Sequence, residues 1–277
     1  MLSKLFDFFQ KEKIDAWAPI ALSSCTLTKP YLLEREGISD GTAVIIAVPY
    51  YSHAADSPDR NISAYAVTRD YHAYFKDLLD RLLKELRTAF PDNRFAAFAD
   101  HSPIDEREAA AKAGLGIFGD NRLLITPKYS SYVFLGELIT DAILPYREYP
   151  IAYCEHCGAC ARACPMECIG TCLSALTQKK GELTATELEH LATYRTAWGC
   201  DICQMACPHT KEAIRSGTVY SPIPYFQTDL TPTLTSQKIR EMSDADFAAR
   251  AYSWRGKDVI LRNLEYLENQ KKGEPNA

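Results

Sequence analysis

Residues 154–172 read C-E-H-C-G-A-C-A-R-A-C-P-M-E-C-I-G-T-C, and residues 199–209 read G-C-D-I-C-Q-M-A-C-P-H. Nine of the ten cysteines fall in these two stretches. Cys154, Cys157, Cys160 and Cys164 follow C-x2-C-x2-C-x3-C-P, a thiolate rhythm that wraps iron–sulfur clusters of the [4Fe–4S] type. Cys200, Cys203 and Cys207 make a shorter set, C-x2-C-x3-C-P. Thiolates suit this task because soft sulfur both binds iron and spreads its charge. The prolines after Cys164 and Cys207 stop a local helix and turn the chain. Structural zinc is the plainer alternative. Zinc sites favour paired C-x2-C units across a long spacer, which four cysteines in this rhythm fit poorly.

The rest of the composition is that of an ordinary globular chain. Of 277 residues, 47% are apolar and 24% charged, which is enough to bury a core. The net charge is −5 and the pI about 5.7, so the field of the whole chain does not advertise nucleic acid. Residues 1–10, M-L-S-K-L-F-D-F-F-Q, read as an amphipathic helix rather than a signal peptide. No run approaches the ~18 apolar residues of a membrane span. The expectation is a cytoplasmic protein without membrane contact, its cysteines clustered for metal rather than spread as a secreted disulfide scaffold. Cys25 stands alone and reads as a small core residue.

Outward from the cysteines, the preceding 150 residues read as a layered α/β or α+β domain. Strands are expected at 43–50, 95–99, 123–126 and 132–140, the first an unbroken apolar run that suits a central position. A long helix is expected over 62–90, where Tyr71, Tyr74, Phe75, Leu78, Leu79, Leu82, Leu83 and Leu86 recur at threes and fours. Another is expected over 104–113. Leu5, Phe8, Phe9 and Ile14 suit one buried helical face near the start. Asp100 closes the second strand, where an acid is either a proton donor or the cap of a turn. The stretch G-L-G-I-F-G at 114–119 follows a helix instead of a strand, the wrong setting for a dinucleotide fingerprint. Thr184 opens T-A-T-E-L-E as a capped helix, and Ser243 opens another. The prolines at 145 and 150 mark a boundary. The expected domains are therefore 1–150, a double-cluster region over 151–215, and an extended and helical tail over 216–277.

Several segments together resemble the epoxyqueuosine reductases. They are I-S-A-Y-A-V-T-R-D-Y-H at 62–72, the long text F-A-D-H-S-P-I-D-E-R-E through F-L-G-E-L-I-T-D at 98–141, C-L-S-A-L-T at 172–177, G-C-D-I-C-Q-M-A-C-P at 199–208 and R-G-K-D-V-I-L-R-N at 255–263. The resemblance covers roughly residues 15–265, in order. It implies a nitroreductase-like domain that binds cobalamin, followed by a bacterial-type ferredoxin domain with two [4Fe–4S] clusters. It implies reduction of epoxyqueuosine to queuosine in tRNA, with electrons from an external low-potential donor. It assigns Cys154, Cys157, Cys160 and Cys207 to one cluster and Cys164, Cys172, Cys200 and Cys203 to the other. Cys168 is left for packing, with Cys168 in place of Cys172 as the competing choice. Asp100 matches the family's proton donor. Gly114, Gly116, Gly119, Asn121, Tyr132 and Gly136 match segments that shape the corrinoid pocket. Tyr65, Asp70, Tyr71 and His72 match a family run whose histidine is either structural or a substrate contact.

Three departures bear on the substrate. The chain stops soon after residue 263, where longer members continue into a tRNA-holding repeat region. The spacing from Cys164 to Cys172 is short. Asp120 stands where many members have lysine, which puts negative charge near the expected pocket. Two other readings therefore stand beside the first: a corrinoid iron–sulfur reductase of the same fold acting on a small molecule, and a double-cluster electron carrier without catalysis.

Overall fold

The structure, a computed structural model, describes residues 1–167 and 172–273. Its contacts gather the chain into two compact units. One joins Met1–Tyr50, His72–Cys157 and Glu212–Ile223; the other joins Tyr51–Tyr71, Gly158–Lys211 and the chain from Pro224 on.

In the first unit the elements run α1 (Leu2–Lys11), β1 (Ala16–Ala21), α2 (Tyr31–Glu36), β2 (Thr42–Pro49), α3 (Tyr71–Ala89), β3 (Phe95–Phe98), α4 (Glu106–Lys112), β4 (Ile117–Phe118), β5 (Leu124–Ile125) and β6 (Val133–Thr140). The sheet order is β1-β2-β6-β3, and every neighbouring pair is antiparallel. All eight residues of β2 are buried, so its apolar run needs no alternation. The layered α/β expectation holds in its α+β form, because no parallel crossover is present among these strands. The strands expected at 43–50, 95–99 and 132–140 are there. The one at 123–126 shrinks to β5, which pairs with β4 in a separate small hairpin. β1 is an element the sequence reading passed over. Alanines and Pro19 give it a weak strand signature, and a proline is tolerated because β1 is an edge strand. Ile14 is buried but lies beyond the end of α1. Cys25 sits in the core beside Ala21, its thiol pushed up to about 12 by burial.

Helix α3 begins at Tyr71, not at residue 62. The backbone of 61–70 is satisfied instead by long-range partners within the second unit. Ser63 N donates to Trp198 O, Thr231 N to Val67 O and Asp70 N to Ala249 O. A helix would have to give up these bonds, and buried backbone groups are rarely left unpaired.

The second unit holds α5 (Ala159–Ala163), α6 (Leu173–Thr177), α7 (Ala185–Thr193), α8 (Ile202–Ala206) and, as far as Lys211, the start of α9 (Pro208–Arg215), then α10 (Ser236–Glu241), α11 (Asp244–Ala248) and α12 (Lys257–Gly273). Thr184 caps α7 in a full capping box with Glu187, as the T-A-T-E pattern predicted. Ser243 caps α11. The core joins Ile62, Ala66 and Val67 to Trp198, Tyr252, Ile260 and Leu264. This grouping differs from the boundaries expected at 150 and 215. Residues 51–71 and the C-terminal helices share one apolar core with the segment around Trp198, so neither stands apart as a tail.

Candidate functional site

Asp100 follows β3 with φ +63, a left-handed backbone that few residues other than glycine adopt. His101 N donates to Ala99 O at 2.7 Å across it, closing a three-residue turn. The loop behind the turn is pinned: Thr28 N and Lys29 N donate to Pro103 O, and Asp105 N donates to Thr26 O. The Asp100 side chain is thereby lifted outward, about half exposed, with Oδ2 2.8 Å from His72 Nε2 on α3. His72 is half exposed too, so it is neither a core residue nor isolated. The antiparallel sheet removes the open-sheet argument that first drew notice to Asp100; a strained turn replaces it. His101 is held by Lys29 Nζ at 3.2 Å and by Tyr31 OH at 3.1 Å.

Tyr65 is a structural member of its run: its hydroxyl accepts from Trp198 Nε1 at 2.8 Å, and burial raises its pKa. The Asp70 carbonyl accepts from Tyr225 OH at 2.7 Å.

The glycines expected at the corrinoid pocket meet protein atoms. A Cβ on Gly136 would stand 2.5 Å from the Phe75 ring, so this glycine lets α3 lie close on the sheet. Gly114 ends α4 at φ +80, with the Tyr149 ring 2.7 Å from where its Cβ would be. Gly116 is backed by the Ile125 carbonyl and Gly119 by the Asn121 side chain. On the side where a Cβ would stand, each of the four meets protein. Tyr132 is fully buried, its ring edge-on to Tyr50. Asn121 differs. Its Oδ1 accepts from Leu123 N at 3.3 Å, but Nδ2 is buried and meets no acceptor among the described residues. Such a donor fits a polar ligand group. Asp120 has a partner of its own. It pairs with His156 Nδ1 at 2.7 Å, beside Cys154.

Cys154 and Cys157 close the first unit, and Cys160, Cys164, Cys172, Cys200, Cys203 and Cys207 lie in the second. In the second unit α5 and α8 are matched five-residue helices, each carrying a cysteine and each ended by an extended Cys-Pro step at Cys164 or Cys207. Burial pushes the Cys200 thiol up to about 11 and the Cys203 thiol up to about 12, and Cys164 and Cys172 raise both further. These four thiols thus lie within electrostatic reach of one another, and bound iron would supply the positive charge that such a group calls for, so Cys164, Cys172, Cys200 and Cys203 fit a cluster. Cys168 lies outside the described residues.

Two supports of this region carry no ligand signature. Asp201, between two of the cysteines, is buried. It takes Arg60 Nη1 at 2.5 Å, Ala64 N at 2.7 Å and the Ser63 hydroxyl. Asn263, in R-G-K-D-V-I-L-R-N, is fully buried, and its Nδ2 donates to Thr177 O at 2.8 Å and Ala197 O at 2.9 Å. It ties together the segments that follow Cys172 and precede Cys200. Removing one partner of a buried pair leaves the other uncompensated, so Asp201→Ala is expected to cost about 3–5 kcal/mol. Melting and iron content of the anaerobically purified variant check this; wild-type values in both would show the Arg60 pair to be idle.

Glu106 and Glu137 were also not singled out from sequence, although an acid inside V-F-L-G-E-L-I-T is itself a signal. Burial pushes Glu106 up to about 7 and Glu137 well above the usual carboxylate range.

No helix among the described residues is long and apolar enough to cross a membrane. The family model described as epoxyqueuosine reductase QueG, DUF1730, matches residues 39–101. An epoxyqueuosine reductase from Gloeobacter violaceus is 33% identical over 216 residues, covering 74% of this chain and 68% of the relative. The solved epoxyqueuosine reductase from Streptococcus thermophilus has the same fold, with a TM-score of 0.77 at 23% identity over 96% of this chain and 80% of that one. Another solved epoxyqueuosine reductase, in complex with an epoxyqueuosine-modified tRNA-Tyr stem loop, gives 0.74 at 24% identity over 96% and 81%. The solved structures bear on the fold; the sequence match spans most of both chains, and on that ground this chain belongs to the epoxyqueuosine reductase family.

Proposed function

We propose that this chain reduces the epoxide of epoxyqueuosine to the alkene of queuosine in tRNA. The observation that carries the reading is the Asp100 carboxyl, lifted on a left-handed turn and held 2.8 Å from His72, in a chain of this family. The first unit is read as the nitroreductase-like cobalamin domain. Residues 151–215 are read as the ferredoxin-like region with two [4Fe–4S] clusters, one on Cys164, Cys172, Cys200 and Cys203, the other on Cys154, Cys157, Cys160 and Cys207 as the resemblance implies. Asn121, with its unmatched buried donor, and Gly114, Gly116, Gly119, Tyr132 and Gly136, which the family resemblance points to, are the residues assigned to the corrinoid. When bound, the corrinoid supplies strongly reducing electrons for opening a carbon–oxygen bond.

The protein's own part is proton handling. The net change takes two electrons from a low-potential external carrier and two protons, and releases the epoxide oxygen as water. Asp100 gives a proton to the departing oxygen as general acid. His72 Nε2 fixes which way the carboxyl faces and stands where it can return a proton to Oδ2. Asp120, the acid where many family members have lysine, has His156 as a hydrogen-bond partner within the protein.

The test uses cluster-loaded protein with cobalamin, a low-potential reductant and tRNA from a strain that accumulates the epoxide. Nucleoside mass analysis should find queuosine. A protein that binds cobalamin and reduces its clusters yet leaves the nucleoside unchanged would exclude this substrate.

A further inference from the structure

The layer between α4 and the sheet holds two carboxyls that the proposed reaction leaves unused. Alternation along β6 puts Leu135, Glu137 and Ile139 on one face, against the core that α4 covers. Glu137 is fully buried, opposite Ile45 on β2 and Phe98 on β3. Glu106, the first residue of α4, turns its carboxyl onto Glu137 and takes the Asp100 backbone amide. Among the described residues, no donor meets Glu106 Oε1 or either Glu137 oxygen in hydrogen-bond geometry. Two ionised carboxylates here would leave three buried oxygens unmatched and would repel across a dry contact. One proton between them removes the repulsion and bridges two of the three oxygens, as in other close carboxyl pairs, leaving the third oxygen to the side of Glu137 that the Ser102 hydroxyl acts on.

We propose that Glu106 and Glu137 share a single proton at neutral pH, and that this pair is the positioning element that holds Asp100 in its left-handed turn. The link is direct, because the amide of Asp100 itself lies on Glu106. The groups acting on the pair come from every side. Asp105 caps α4, and Asp100 and Ser102 stand in the loop after β3. Cys25 feels Glu137 from the turn after β1. His72 on α3 reaches the pair through Asp100. Burial is the main cause of the raised values, the charges of Asp100 and Asp105 add to it, and the Ser102 hydroxyl opposes it at Glu137.

The sign follows from linkage. An unfolded glutamate titrates near about 4.3. In the fold Glu106 is pushed up to about 7 and Glu137 well above the usual carboxylate range. Between these limits the folded state binds more protons. The stability the pair contributes is therefore complete below the lower limit and lost as pH rises through the upper one.

Infrared spectra of cluster-loaded protein carrying carboxyl-labelled glutamate test the shared proton. A protonated glutamyl carboxyl is expected at pH 7 in the wild type and not in Glu137→Gln. Glu137→Gln keeps shape and offers its amide to Glu106 in place of the proton, so its melting temperature should no longer fall from pH 5 to pH 9 as the wild type's does. Its alkaline limb in kcat/KM should move up, while Glu137→Ala should lose activity at every pH. Absence of the protonated carboxyl in the wild type, or equal melting slopes in wild type and Glu137→Gln, would overturn the proposal. Only the kcat/KM arm rests on the proposed reaction. The infrared and melting arms stand even if the substrate is another molecule.

Discussion

Asp100→Asn is expected to keep the fold and both clusters while turnover falls by about 10²- to 10⁴-fold, the range supplied by a positioned general acid. Asparagine is the right replacement for a structural reason. It tolerates the left-handed backbone nearly as well as aspartate, so φ +63 costs it little. Its amide also keeps a polar partner for His72 Nε2. What it cannot do is release a carboxyl proton to a departing oxygen. Asp100→Ala would confuse the result, because alanine in that conformation adds a backbone cost of about 1–2 kcal/mol to any catalytic one. Single-turnover conversion of epoxide-bearing tRNA, with iron content and melting measured on the same preparation, separates chemistry from folding. An Asp100→Asn enzyme as fast as the wild type would remove Asp100 from the reaction.

Cys172→Ser is expected to lose one cluster, close to half of the bound iron, while Cys168→Ser keeps it all. Cys172 lies near enough to Cys200 and Cys203 to raise both their thiols, which is the proximity a shared cluster would need. Serine replaces a soft thiolate by a hard, weakly acidic hydroxyl, and iron held by three remaining thiolates is exposed to loss. Iron and acid-labile sulfide per chain, with electron paramagnetic resonance of the reduced protein, would report which cluster is gone. Full iron in Cys172→Ser together with loss in Cys168→Ser would reverse the assignment. The same variant tests whether the two clusters depend on one another: a signal from the remaining cluster unchanged in shape would show that the second site forms alone.

Much of the layout was legible because the signals are local. The apolar run of β2 and the mixed pattern of β6 announce strands, and T-A-T-E announces a capping box, since each rests on residues within a turn or two of each other. The cysteine rhythm belongs to the same class: C-x2-C-x2-C fixes how thiols can converge within one loop and one short helix. The failures are equally physical. A helical period runs through 62–70, yet those residues find their hydrogen bonds at Trp198, Thr231 and Ala249, partners 130 to 180 residues away. β1 lacks β-branched residues at most positions and holds as an edge strand by pairing with β2. Asp201 and Asn263 look like ordinary polar residues until burial leaves them as the anchors of cysteine-bearing segments.

By itself the sequence determined the family, because a long ordered resemblance needs no coordinates, and it raised the cysteine ligands and Asp100 as expectations from residue type and spacing. Tertiary structure alone decided four things: the antiparallel sheet, the grouping of 51–71 with the C-terminal helices, the strained turn that lifts Asp100, and the burial of Glu106 against Glu137. Each depends on what lies opposite in space, where burial sets the cost of a charge and a distant carbonyl sets the path of the chain. Neither quantity is written in the residues next door.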